Sequence, residues 1–149
     1  MPDLGQAAAP RTVVTIRNGT ASDIDAVLGF WRHATTEPST TDDAASLALL
    51  LAHAPDALLL TVDGEMLIGT LIVGWDGWRG SMYRLAVDPA CRRRGIATAL
   101  VEEGERRLVA RGARRLHMIV VAAEEPAKSF WTAVGYHTKD QLRFVKNLA

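Results

Sequence analysis

The chain has 149 residues, 48% of them hydrophobic and 23% charged, and its 17 basic and 17 acidic side chains cancel. Those values fit one soluble globular domain and exclude wholesale disorder and a fibrous repeat. The single cysteine, Cys91, excludes an internal disulfide and a multi-cysteine zinc site, so no metal is expected, and zero net charge gives no general pull toward nucleic acid.

Residues 1–11 read as a loose tail and residues 12–149 as the domain. Thr12–Arg17 is rich in β-branched residues and predicts a strand. A helix follows from Thr20-Ala21-Ser22-Asp23, with Ser22 and Asp25 placed as a capping box and Ile24, Val27, Leu28 and Trp31 as a buried stripe. A second helix is expected to start near Thr41, with Asp42 and Asp43 in its first turn and Leu47, Leu50 and Leu51 on its apolar side.

Ala57–Val62 and Met66–Trp75 predict strands joined at Asp63-Gly64, and Ser81–Val87 predicts the next one. Gly95–Arg111 reads as a helix stopped by Gly112. Arg115–Val121 is almost wholly apolar and predicts a strand buried on both faces, with His117 a core histidine. Pro126–Val134 predicts a short helix and Tyr136–Lys146 a last strand. The order β-α-α-β-β-β-α-β-α-β predicts a single mixed α/β (α+β) domain with about four helices.

No apolar run approaches the roughly 20 residues that span a bilayer, so no membrane partner is expected. The first residues lack a basic flank and a long apolar core, which argues against a signal peptide; a cytoplasmic location is expected.

Charge is distributed unevenly. Residues 1–91 carry five basic and eleven acidic side chains, whereas residues 92–115 carry eight arginines and three glutamates. The basic segment opens where a strand ends and a helix begins, at Asp88-Pro89-Ala90-Cys91-Arg92-Arg93-Arg94-Gly95-Ile96-Ala97-Thr98. A helix start presents unpartnered N–H groups and partial positive charge, and small residues let an anion approach the backbone. Gly95 and Ala97 supply that access and Arg92, Arg93 and Arg94 supply charge, so the segment suits a diphosphate. Neither a P-loop nor a dinucleotide glycine fingerprint is present.

Arg92-Arg93-Arg94-Gly95-Ile96-Ala97 resembles the [QR]-x-x-G-x-[GA] signature of the GNAT superfamily of N-acetyltransferases, and Leu85-Ala86-Val87-Asp88-Pro89 looks like its fourth strand. Downstream, Glu125-Pro126-Ala127-Lys128-Ser129-Phe130-Trp131-Thr132-Ala133-Val134-Gly135-Tyr136 is similar to that family's N-[ED]-x-A-x-x-[FL]-Y-x-x-x-G-[FY] block. The resemblance implies a mostly antiparallel sheet splayed between its fourth and fifth strands. It implies acetyl-CoA as co-substrate and direct transfer to the amine of a small molecule or peptide. Leu85, Ala86 and Val87 would pair with the pantetheine arm, and backbone N–H groups from Arg93 through Ile96 and Ala97 to Thr98 would hold the diphosphate. An N–H near Val87 would face the acetyl oxygen. Glu124, Lys128 and Trp131 in the second block would complete the cofactor side.

Three residues depart from the family pattern. Trp131 stands where a tyrosine usually protonates the leaving thiolate, and an indole N–H cannot transfer a proton. Glu124 stands in place of an asparagine. Ser81 and Ile119 occupy strand positions where some members carry a basic glutamate. Tyr83, on the fourth strand, and Glu37, which with His33 lies between the first two helices, are the catalytic candidates. A non-catalytic acyl-CoA sensor is the alternative function, and the resemblance leaves room for a homodimer.

Overall fold

The computed structural model describes residues 14–35, 38–119 and 125–148. The expected tail, Glu37 and Glu124 lie outside them. The elements are β1 (Val14–Asn18), α1 (Ile24–Ala34), α2 (Ala44–His53), β2 (Leu58–Asp63), β3 (Met66–Trp75), β4 (Gly80–Val87), α3 (Ile96–Ala110), β5 (Leu116–Met118) and α4 (Glu125–Ala133). One sheet runs in the order β1-β2-β3-β4-β5, antiparallel except for the parallel pair β4-β5. This is the mixed α/β fold expected from the sequence.

Strand alternation sends successive side chains to opposite faces. In β2, Leu58, Leu60 and Val62 face α1 and α2, where they meet Val27, Phe30, Trp31 and Leu47. Leu59 faces the other way and joins Leu71, Met82, Leu100, Val101 and Leu108 under α3. The sheet is therefore covered on both sides, and its central strands are buried along most of their length. Each fully buried leucine contributes about 1.5–3 kcal/mol, which makes the β2-β3-β4 centre the stable part of the molecule.

Local signals set the helix ends. Gly112 follows α3 at φ 100, with the Gly112 N–H donating to Val109 O and the Ala113 N–H to Leu108 O. Gly135 follows α4 at φ 98, with Gly135 N–H donating to Thr132 O and Tyr136 N–H to Trp131 O. Both are Schellman ends, which a left-handed glycine permits.

Several boundaries differ from expectation. The capping residues before α1 are Thr20 and Asp23 rather than Ser22 and Asp25: the Thr20 N–H donates to Asp23 Oδ2 at 2.8 Å. A short 3-10 turn, Ala21–Asp23, precedes α1 and shifts the register. Asp43 is the N-cap of α2, accepting from the Ser46 N–H at 2.7 Å, so α2 begins three residues after Thr41.

The expected strand at Tyr136–Lys146 does not form; residues 137–148 are in neither helix nor strand, and Leu142, Phe144, Val145 and Leu148 are exposed. An alternating apolar pattern makes a strand only where a partner edge accepts its hydrogen bonds, and no described strand pairs with this segment. β5 ends at Met118, short of Ile119, while residues 120 and 121 of the expected strand lie outside the described residues; His117 is exposed, and β5 is the edge strand among the described residues.

Candidate active site at the end of the fourth strand

β4 is paired with β5 only from Gly80 to Met82, yet it continues to Val87. Beyond Met82 its β5 side has no strand against it among the described residues. On the opposite side, β3 stays paired, but the register shifts: Ile72 faces Tyr83 and Thr70 faces Ala86. One residue of β3, Leu71, thus opposes two of β4, Arg84 and Leu85. Arg84 takes φ 54, a left-handed conformation that a non-glycine residue rarely adopts.

Contacts from three elements hold this bulge. The Trp31 indole Nε1–H donates to Thr70 Oγ1 at 2.9 Å, and Thr70 Oγ1–H donates to the Arg84 carbonyl at 2.9 Å. Thr70 is fully buried and Trp31 nearly so. The Arg84 guanidinium grips the Asp42 carboxylate through Nε, at 2.9 Å from Oδ1, and through Nη2. It also lies over the Trp31 ring, 5.5 Å from its centre. Helix α1, strand β3 and the loop before α2 are thereby fixed to one backbone position of β4.

The strand then enters the basic loop. Asp88 Oδ1 accepts the Ala90 N–H at 2.9 Å and shapes a 3-10 turn over Pro89–Cys91. Arg93 at φ 65 and Gly95 at φ 75 turn the chain into α3. The first intrahelical bond runs from Ala99 N–H to Gly95 O, so the N–H groups of Ile96, Ala97 and Thr98 precede the helical ladder. A Cβ on Gly95 would meet nothing within 4 Å, so the backbone here is open to a ligand. Arg92, Arg93 and Arg94 are exposed around it, with Arg94 Nη2 3.6 Å from Asp63 Oδ2. Ile96 and Leu100 are buried against the sheet and hold the helix start in place.

Leu85, Ala86, Val87, Arg92, Arg93, Arg94, Gly95, Ile96, Ala97 and Thr98 thus form one continuous strand-loop-helix unit. Lys128 is exposed on α4. Trp131 lies inward: it is 6% exposed, with the Phe130 and Tyr136 rings edge-on at 5.2 and 4.8 Å. The Tyr136 hydroxyl donates to Glu105 Oε2 at 3.1 Å; burial, then the facing carboxylate, pushes its pKa well above the ordinary phenol value.

Tyr83 is 49% exposed. Ser81 and Tyr83 both neighbour Gly74 on the face turned away from α3, and Ser81 is in register with His117. His33, at the end of α1, brings Nε2 to 3.8 Å from Asp88 Oδ1, so the end of α1 reaches the loop that follows β4.

Thr70, Arg84 and Asp42 were not apparent as site residues in the sequence, and Trp31 read only as part of an apolar stripe. The one available signal was Thr70 itself, a lone hydroxyl inside the otherwise apolar run of β3.

The chain is 34% identical over 127 residues to an acetyltransferase of Pectobacterium atrosepticum, covering 85% of this chain and 89% of that one. The fold is similar to that of Ard1 from Thermoplasma volcanium, with a TM-score of 0.76 at 20% identity over 85% of this chain and 84% of that one. It is also similar to an aminoglycoside N-acetyltransferase solved in complex with CoA, with a TM-score of 0.72 at 17% identity over 95% and 99% of the two chains. The sequence profile of the acetyltransferase (GNAT) family matches residues 24–136, which span α1 to the end of α4 and the whole strand-loop-helix unit, so the chain belongs to the GNAT acetyltransferase family.

Proposed function

We propose that the chain transfers the acetyl group of acetyl-CoA directly to a primary amine. One observation carries the proposal. β4 loses its β5 partner just before a bulge and leads into an open, glycine-bearing helix start. A pantetheine arm fits the free edge of β4 at Leu85, Ala86 and Val87 as an added strand, and the diphosphate fits the N–H groups from Arg93 to Thr98. The CoA complex of the structurally similar aminoglycoside enzyme supports the same choice of ligand.

The bulge also refines the candidate for the oxyanion donor. The extra residue falls at Arg84 and Leu85, and this supports assigning the oxyanion role to the Leu85 N–H rather than to one near Val87. The attacking amine forms the C–N bond as the C–S bond breaks, and a proton passes from nitrogen to the departing thiolate. Tyr83 faces the open side from which the amine would come. Trp131, buried among Phe130 and Tyr136, leaves proton delivery to solvent or to the amine itself.

A thermal-shift titration tests the ligand, and release of free CoA across an amine panel tests transfer. Acetyl-CoA at a hundredfold excess over Kd adds about 3 kcal/mol to stability. No shift at millimolar acetyl-CoA would refute the cofactor assignment. Binding without CoA release from any amine would instead support an acyl-CoA sensor.

A further inference from the structure

We infer that Trp31 and Thr70 form a proton-ordered relay that fixes and polarises the peptide carrying the Leu85 N–H, making both of them positioning residues for acetyl transfer. This rests on the acetyl-CoA reading above.

The argument begins with donors and acceptors. An indole nitrogen can only donate and a peptide oxygen can only accept. Thr70 Oγ1 sits 2.9 Å from each. Its single proton must therefore point at the Arg84 carbonyl, and its lone pair at Trp31. The direction of the chain is fixed, with no alternative hydroxyl rotamer that serves both partners.

The Arg84 carbonyl and the Leu85 N–H belong to the same peptide unit. No peptide bond among the described residues is cis, so the two groups point in opposite directions. A carbonyl held toward Thr70 on β3 directs the Leu85 N–H toward the edge of β4 that β5 has left. Hydrogen bonds in series polarise one another, most strongly away from water. Donation into the Arg84 carbonyl thus makes the Leu85 N–H a better donor. Thr70 is fully buried and Trp31 is 3% exposed, so water does not compete for either bond.

The left-handed Arg84 supplies the second half of the argument. Strained backbone persists only where the surroundings over-determine it. Here the relay holds the Arg84 carbonyl from below, and Asp42 holds its guanidinium from the other end. A merely structural hydroxyl would satisfy a buried carbonyl anywhere in the sheet. This one acts on the peptide that joins the two bulge residues, Arg84 and Leu85.

The test is isotope-edited infrared spectroscopy of carbonyl-13C-labelled acetyl-CoA bound to the full chain, which needs no acceptor. In the wild-type chain the labelled band moves to lower frequency than in free acetyl-CoA. Thr70→Val loses most of that displacement, Thr70→Ser keeps it, and Trp31→Phe loses part of it, each measured at saturating acetyl-CoA. Should Thr70→Val fail to fold, Trp31→Phe against Thr70→Ser carries the comparison. A full displacement in Thr70→Val and Trp31→Phe overturns the relay, as does an unmoved band in a wild-type chain that binds acetyl-CoA. A wild-type chain that binds no acetyl-CoA overturns the cofactor reading and the relay together.

Discussion

Leu108 of α3 occupies the space where a side chain on Gly80 of β4 would stand. A Cβ at Gly80 would lie 2.6 Å from Leu108 Cδ1, 2.9 Å from Cδ2 and 3.2 Å from Cγ. Rotating Leu108 does not relieve three such contacts, because the residue is 2% exposed and packed on all sides. The contact sets the distance between α3 and the start of β4, and hence where the helix start meets the end of that strand. Gly80→Ala is expected to cost about 1–3 kcal/mol through overpacking. Urea unfolding reads it directly, and an unchanged midpoint would show that α3 can shift without penalty.

Gly95 presents the opposite case. Its Cβ position is empty, but its φ of 75 is left-handed. Gly95→Ala is expected to cost about 1–2 kcal/mol from backbone conformation alone. Gly95→Trp is expected to keep the fold, since space is available, and to abolish acetyl-CoA binding, since the bulk stands over the N–H groups of α3. Calorimetric titration of both variants separates the effects. Wild-type affinity in Gly95→Trp would move the diphosphate elsewhere.

These two glycines show what the sequence makes legible. Gly95 and Gly112 bracket α3 with local signals, and the alternation in β2 and β3 reports a sheet buried on both faces. The residues around Gly95 could be read as an anion site because helix starts and small residues act locally. The bulge could not be read this way. Arg84 and Leu85 carry no glycine or proline, and Arg84 is held in its conformation by Thr70, Trp31 and Asp42, which lie 14 or more positions away. Tyr136–Lys146 fails for the converse reason: its alternation is a local property, whereas a strand is a pairing. His117 was misplaced likewise, since an apolar run does not reveal which strand will lie at the edge.

The pair between Arg84 and Asp42 makes a separate prediction. Both side chains are 18% exposed, and Asp42 Oδ2 also accepts the Ser39 N–H at 2.9 Å. Asp42→Asn keeps the shape but removes the charge from a two-point contact. It is expected to cost about 1.5–3 kcal/mol, the range for hydrogen bonds to charged groups. Cleavage in limited proteolysis between α1 and α2 should accelerate in the same variant. Unchanged cleavage would mean that other contacts hold the loop.

Trp131 tests the role of the second motif. Its edge-on contacts with Phe130 and Tyr136 make it a packing residue. Trp131→Tyr keeps an aromatic ring there but leaves a small void, so the melting temperature should drop by about 2–4 °C, the shift for roughly 1 kcal/mol in a domain of this length. CoA release should be intact or raised, since a phenol can deliver a proton and an indole cannot. A large loss of rate at retained stability would show that the indole itself touches the reacting groups.

Tyr136 gives the fold an alkaline limit. Burial, reinforced by Glu105, raises its pKa in the folded chain above the value of about 10 that it has when unfolded. Below pH 10 both states hold the proton, and the contribution of this group to stability is complete. Above pH 10 the unfolded chain releases the proton while the folded chain keeps it, so stability falls as pH rises toward the folded pKa. The slope stays under about 1.4 kcal/mol per pH unit, because one phenol exchanges at most one proton. Tyr136→Phe has no such proton and loses that slope. Stability curves of the two chains from pH 8 to 11 check the assignment: parallel curves would show that the phenol is as free in the folded state as in the unfolded one.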